Sequence, residues 1–149
     1  MHSPHKIIEN IPIQPVGAKG IKGEIEIYPE FKDGLKDLEG FSHIYLLYHF
    51  HKAEGYSLQV KPFLDDELHG VLATRAPKRP NGIGLSVLKL TGIENNIVYV
   101  ENVDVLDGTP ILDIKPYSSK FNAVENEKSG WLEKNIDKSN KKKSNNRFK

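Results

Sequence analysis

Ile21, Ile25 and Ile27 recur at odd positions among polar neighbours in IKGEIEIY, the two-residue period of a half-buried strand. HIYLLYHF, His43 to Phe50, is nearly continuous apolar and aromatic, which predicts a strand covered on both faces. GVLATR (Gly70 to Arg75) and LSVLKLTGI (Leu85 to Ile93) predict two further strands. Glu94-Asn95-Asn96 then supply turn residues before IVYVENVDVL, so a hairpin is expected there, and ILDI (Ile111 to Ile114) predicts a short last strand. Helical signals are weaker. FKDGLKDLEGF brings Leu35 and Leu38 to one face of a turn or two, and SGWLEKNIDK predicts a short helix capped by Ser129. No strand–long-helix–strand alternation and no internal repeat occurs. The pattern predicts a mainly β fold, a small closed or nearly closed antiparallel β-barrel with short peripheral helices.

Composition narrows the class. The 149 residues suit one domain, and 38% hydrophobic with 28% charged residues is an ordinary soluble balance. No apolar run has membrane-spanning length and MHSPHKIIENIPI contains no signal-peptide core, so a cytoplasmic protein without membrane association is expected. The absence of cysteine excludes disulfides, thiolate metal sites and cysteine nucleophiles. The net charge of +1 conceals a division at Lys134: seven cations against Asp137 give the tail +6, leaving −5 on the chain before it. Residues 1–133 therefore read as the folded domain. The tail, 134–149, reads as a disordered basic segment, either a solvated appendage or a loose electrostatic hold on nucleic acid.

Between the predicted strands lies ATRAPKRPNGIGLS, Ala73 to Ser86. Arg75, Lys78 and Arg79 fall within five residues, Pro77 and Pro80 fix φ on either side of Arg79, and Asn81, Gly82 and Gly84 permit close backbone approach. Such a loop can aim guanidinium forks and N–H groups at a carboxylate or phosphate; equally, it can be a rigid connection whose arginines pair with the acidic body. It is not a dinucleotide fingerprint, because NGIGLSVLK lacks the third glycine and no crossover helix follows.

A second constellation is VDVLDGTPILDIKPY, Val103 to Tyr117. Asp107 heads strong turn chemistry, which suffices to explain it. Asp104 stands inside a β-branched run, where a carboxylate is disfavoured, and is a candidate to take up a proton; Asp113 raises the same question and can simply point outward. His43, His49 and His51 lack matched carboxylates at ligand spacing, so no metal is assigned.

Together these blocks resemble the TsaA-like family, which includes the tRNA threonylcarbamoyladenosine N6-methyltransferases. ATRAPKRPNGIGLSVLKL, VDVLDGTPILDIKPY and the upstream LEGFSHIYLLYHFHKAEG occur in the family's order and span roughly the first 117 residues. Gly82 stands where the family commonly has proline, PVGAKGIKGEI lacks the family's N-terminal arginine, and Asp65, Asp66 and Glu67 make an acidic loop. The resemblance implies a small β-barrel that binds S-adenosyl-L-methionine, usually as a homodimer, and methylates a modified adenosine beside the tRNA anticodon.

By position it implies cofactor contacts at His51 and Lys52, at Arg75, at Arg79, Pro80 and Asn81, at Leu85, and at Asp104, Val105, Leu106, Asp107 and Gly108. Asp104 and His51 are the candidate bases. Tyr117 reads as packing at a barrel end rather than as a stacking residue. The reading is thus a methyltransferase acting on tRNA. Its alternatives are a non-catalytic module that binds the same cofactor, and a methyltransferase for a small molecule.

Overall fold

The computed structural model describes residues 1–148. Among them are seven strands: β1 (Lys22–Glu26), β2 (His43–His49), β3 (Gln59–Val60), β4 (His69–Gly70), β5 (Ile83–Glu94), β6 (Ile97–Glu101) and β7 (Ile111–Pro116). Five form one antiparallel sheet in the order β1-β6-β5-β2-β7, and β3 pairs with β4 in a small separate ladder. The expected mainly β, antiparallel architecture is therefore present. Among the described residues no ladder joins β7 to β1, and the outer edge of β1 is bridged by His2.

Side-chain parity along the strands decides where the core lies. Ile44, Leu46 and Tyr48 of β2 share a face with Ser86, Leu88 and Leu90 of β5, and these meet Ile25, Val98, Val100, Val103 and Val105. The opposite face of β2 is less covered than its composition suggests: Tyr45 and Leu47 are half-buried and His49 is exposed. Tyr117 packs edge-on against Tyr45 and His43, as expected of a packing residue. The hairpin from β5 to β6 turns where Glu94-Asn95-Asn96 were expected to turn it, with Asn95 at φ 55° and the Asn96 amide donating to the Ile27 carbonyl at 2.7 Å.

Three local expectations differ. The strand predicted at Gly70 to Arg75 stops at Gly70, and Val71–Ala73 is a 3₁₀ turn. The Thr74 hydroxyl donates to the Val71 carbonyl at 2.8 Å and accepts from the Ala76 N–H at 3.2 Å, offering the backbone local partners in place of a ladder. The predicted helices are 3₁₀ turns over Pro29–Leu35, Leu38–Gly40, Gly130–Lys134 and Ile136–Lys138; one turn of α-helix, α1, covers Ser119–Asn122. Ser129 makes no side-chain cap, and Glu133 instead accepts from the Ser129 N–H at 3.2 Å.

The third difference is the tail. Up to Phe148 it is folded against the body. Phe148 is buried in a second apolar cluster with Val60, Val71 and Ala76, and its ring lies 5.1 Å edge-on from Phe63. Arg147 covers the Phe63 ring and donates to the Lys61 and Pro62 carbonyls. Lys143 bridges Pro12, and the Ser144 hydroxyl bonds the backbone of Ile8 and Ile11. Charge and polarity predict disorder; one aromatic side chain and matched backbone pairing are what oppose it here. Lys149 lies outside the described residues.

Candidate active site

The arginine loop is organised from within. Arg79 turns its guanidinium back onto the loop, donating through Nη1 to the carbonyls of Thr74 at 2.9 Å and Ala76 at 3.2 Å, with Val71 at 3.5 Å. Arg75 does the opposite. Its guanidinium is exposed and donates to Gln14 Oε1 at 3.1 Å, a neutral partner, and it makes no ion pair among the described residues. One arginine holds the loop's shape while the other keeps its charge available, so neither pairs with the acidic body.

Arg75 faces a cavity of about 870 Å³ that also receives Phe50, His51, Lys52, Leu85 and Asp104. Of the residues singled out from the sequence, Arg79, Val105 and Leu106 line the same cavity; Pro80, Asn81, Asp107 and Gly108 stand outside its lining. The volume is that of a small-molecule site, and its walls are mainly apolar with a few charged groups, the usual chemistry of such a pocket. Residues from the C-terminal segment, among them Trp131, Ser139 and Phe148, close one side.

The polar floor is built from inward-facing strand positions, Tyr48 and Ser86, and from Asp104 in the loop after β6. Ser86 Oγ donates to Asp104 Oδ1 at 2.7 Å, and the Tyr48 hydroxyl lies 3.3 Å from the same Oγ. Burial pushes the Asp104 carboxyl up to about 7, opposed by the Ser86 hydrogen bond, its own N–H and the Arg75 charge. Burial and the Asp104 charge likewise raise the Tyr48 phenol, which stays protonated and can only donate or accept as a neutral hydroxyl. Tyr48 sits directly opposite Gly84, where a Cβ would come within 2.3 Å of its ring. Only glycine leaves room for that ring.

His51 lies in the turn after β2 with Nδ1 3.5 Å from Thr109 Oγ1; burial and the neighbouring Lys52 hold its imidazole below the ordinary range. Asp107 turns away. Its carboxylate accepts from the Ser3 N–H at 2.8 Å and pairs with Lys6 at 2.8 Å, which lowers its pKa, Lys6 contributing most. Ser3 Oγ also donates to the Val105 carbonyl at 2.7 Å, and the Asp107 N–H to the His5 carbonyl at 2.8 Å, so the first six residues stitch the Val105–Gly108 loop in place. Asp113 pairs with exposed Lys115 and points outward. Among the described residues no cluster of three His, Asp or Glu could hold a metal ion.

Sequence reasoning missed Tyr48, Ser86 and Gln14. The first two carried a signal: both fall on the core parity of their strands, where a hydroxyl has to find a partner.

The model of the tRNA-methyltransferase O N-terminal domain matches residues 1–123. The chain belongs to this family. A Pyrococcus abyssi protein named as a probable S-adenosyl-L-methionine-binding protein is 53% identical over 148 residues, 99% of this chain and 80% of that one. The mouse tRNA (adenine(37)-N6)-methyltransferase is 42% identical over 103 residues, 67% of this chain and 24% of its own length. Among solved structures, TrmO from Pseudomonas aeruginosa aligns with a TM-score of 0.73 at 39% identity, covering 87% of this chain and 58% of that chain. The chain thus spans less than two thirds of these named methyltransferases. The family match also ends before the C-terminal segment that closes the cavity.

Proposed function

We propose that this chain binds S-adenosyl-L-methionine in the cavity and transfers its methyl group to an adenosine nitrogen of tRNA, most simply N6 of threonylcarbamoyladenosine beside the anticodon. The observation that carries the reading is the meeting of an unpaired guanidinium, Arg75, with a buried carboxyl, Asp104, in one cavity. The residues fit the cofactor's chemistry: Arg75 suits a carboxylate, Phe50, Val105 and Leu106 suit an adenine face, and polar backbone of Asp104–Leu106 suits a ribose. When bound, the cofactor supplies an electrophilic methyl group. That methyl would leave its sulfonium sulfur, which departs as a neutral thioether, and the acceptor nitrogen that takes it up would give up one proton. Asp104 takes the proton, and a carboxyl near 7 is half ionised at neutral pH and so suited to the task. Ser86 holds Oδ1 in place through its hydrogen bond. His51 is the second candidate base. Arg79, Pro80 and Asn81 act through the loop's shape, Lys52 and Leu85 through the cavity wall, and Asp107 with Gly108 through the backbone of their turn.

Homodimer formation belongs to the same reading, and the exposed Leu72, Ile83 and Leu85 beside the cavity are apolar surface that a second copy would cover. A tRNA substrate puts the protein in the cytoplasm, and no helix among the described residues is long and apolar enough to cross a membrane. A second reading, binding of the cofactor without transfer, draws support from the Pyrococcus relative, whose name records binding alone. Incubation with methyl-labelled cofactor and tRNA that carries threonylcarbamoyladenosine without its methyl group, followed by nucleoside analysis, tests the proposal. Label in a methylated threonylcarbamoyladenosine is the expected result. Tight cofactor binding with no label in any nucleoside would leave the second reading.

A further inference from the structure

The segment from Trp131 to Phe148 lies beyond the family match, yet it walls the cavity. Its two ends are pinned to the body. At one end the Trp131 ring stacks on His69 at 4.5 Å and its indole N–H donates to the Ala73 carbonyl at 2.8 Å. At the other, Phe148 fills the cluster beneath Val71 and Ala76. Between them Lys141–Ser144 runs beside Asn10–Ile13: Ile13 N–H donates to Lys142 O at 3.4 Å, Asn10 N–H to Ser144 O at 2.9 Å and Ser144 N–H to Ile11 O at 2.7 Å.

Lys141, Lys142 and Lys143 are all exposed, and none makes an ion pair among the described residues. They are carried between Ser139 and Ser144, both of which line the cavity that also holds Lys52 and Arg75. Arg147 is not part of this set, because its guanidinium is occupied by two carbonyls and the Phe63 ring. Nor is the acidic loop at Asp65: that carboxylate is folded onto His69 and the N–H groups of Asp66 and Glu67.

We infer that Lys141–Lys143, carried by this strap between two cavity-lining serines, bind the phosphate backbone of the RNA whose base enters the cavity. Three lysines on an anchored backbone lose little freedom on binding, unlike lysines on a loose tail, and Ser139 and Ser144 on either side of them line the cavity. A polyanion is the partner this surface fits. RNA is favoured over an anionic membrane because the strap that carries the cations lines a cavity of small-molecule size and is not an exposed apolar helix. The inference rests on the function proposed above.

The test compares the parent with a variant in which Lys141, Lys142 and Lys143 are all glutamine, measuring binding to a fluorescent single-stranded RNA across salt concentrations. Each phosphate contact on a single strand contributes about 0.7 to the slope of log affinity on log salt, so the variant's slope should be shallower by roughly 2. Its affinity for S-adenosyl-L-methionine should match the parent's, which guards against misfolding. Equal slopes for the two proteins would overturn the inference, as would charge-dependent binding to phosphatidylserine vesicles with none to RNA. Methyl transfer to tRNA with equal slopes would sink the lysine assignment alone. A lysine-dependent slope with no methyl transfer to any RNA would sink the function and leave the surface.

Discussion

The hydroxyl of Ser86 lies 2.7 Å from the Asp104 carboxylate, joining the middle of β5 to the loop that follows β6 at the floor of the cavity. This single hydrogen bond opposes the burial that raises the carboxyl, and it fixes which oxygen is left for a ligand.

The pH dependence follows from its sign. A carboxyl raised above its unfolded value binds its proton more tightly in the folded state, so Asp104 stabilises the fold less as pH rises from about 4 to about 7. If it is the base, turnover rises over the upper part of that range while stability falls. The methylation rate should therefore increase with pH to a plateau, with an apparent pKa near 7, and Asp104→Asn should remove that limb and lower turnover. Thermal melts of Asp104→Asn should lose the parent's decline in stability between pH 4 and 7. A pH–rate limb that survives in Asp104→Asn and vanishes in His51→Gln would move the role to His51.

Ser86→Ala separates the hydrogen bond from the carboxyl. Without its donor, the ionised form of Asp104 is less favoured, and the rate limb should move to higher pH with the plateau retained. Leaving Tyr48 and Asp104 short of a partner should cost about 1–3 kcal/mol of stability. An unmoved limb would mean that Ser86 is a packing residue.

The two arginines of the loop should part company. Arg75→Ala should weaken S-adenosyl-L-methionine binding by about 1.5–3 kcal/mol, the range for hydrogen bonds to a charged group, with little change in melting temperature. Arg75→Lys should recover only part, since a point charge cannot replace a fork. Arg79→Ala withdraws a donor shared by Thr74 and Ala76, so its loss should show first as a lower melting temperature. Equal cofactor affinity in Arg75→Ala and the parent would remove the guanidinium from the site.

How far the site could be read from residues alone follows the range of the interactions. The strand pattern and the Asn95 turn were legible because each depends on near neighbours or on side-chain parity, whereas the strand read through IVYVENVDVL ends at Glu101 and leaves Asp104 in the loop after it. The cation-rich loop was legible as a device, but the division of labour between Arg75 and Arg79 was not, because it depends on which carbonyls the folded loop turns inward. The contacts of the tail were hidden for the same reason. Its composition is that of a disordered segment, and the partners that Ser144 and Phe148 meet lie more than 70 residues away in the chain. A strand at Gly70 to Arg75 failed where the Thr74 hydroxyl offered a shorter-range alternative to pairing.

Phe148 joins the tail to the arginine loop, because its ring packs against Val71 and Ala76 on either side of Thr74. Phe148→Ala should destabilise the protein by up to about 3 kcal/mol, the lower end for a buried aromatic, since this cluster is small and can partly collapse. Cofactor affinity should fall as well, in contrast to the lysine substitutions. Phe148→Leu should restore most of both. Wild-type affinity and melting temperature in a chain shortened before Lys138 would return the segment to a solvated appendage.

Gly84 gives the sharpest steric test. A methyl group added there would lie 2.3 Å from the Tyr48 ring, across the register pair that sets the cavity floor. Backbone φ is not the obstacle, since Gly84 is not among the positive-φ glycines; the collision is with an aromatic ring held at the core. Gly84→Ala should therefore cost about 1–3 kcal/mol, the range for overpacking. It should also swing the Tyr48 hydroxyl away from Ser86. The double variant Gly84→Ala with Tyr48→Leu removes the ring and should regain stability relative to Gly84→Ala alone, a coupling that a double-mutant cycle reads directly. Additive losses in that cycle would show that the ring and the glycine do not confront each other as the register requires.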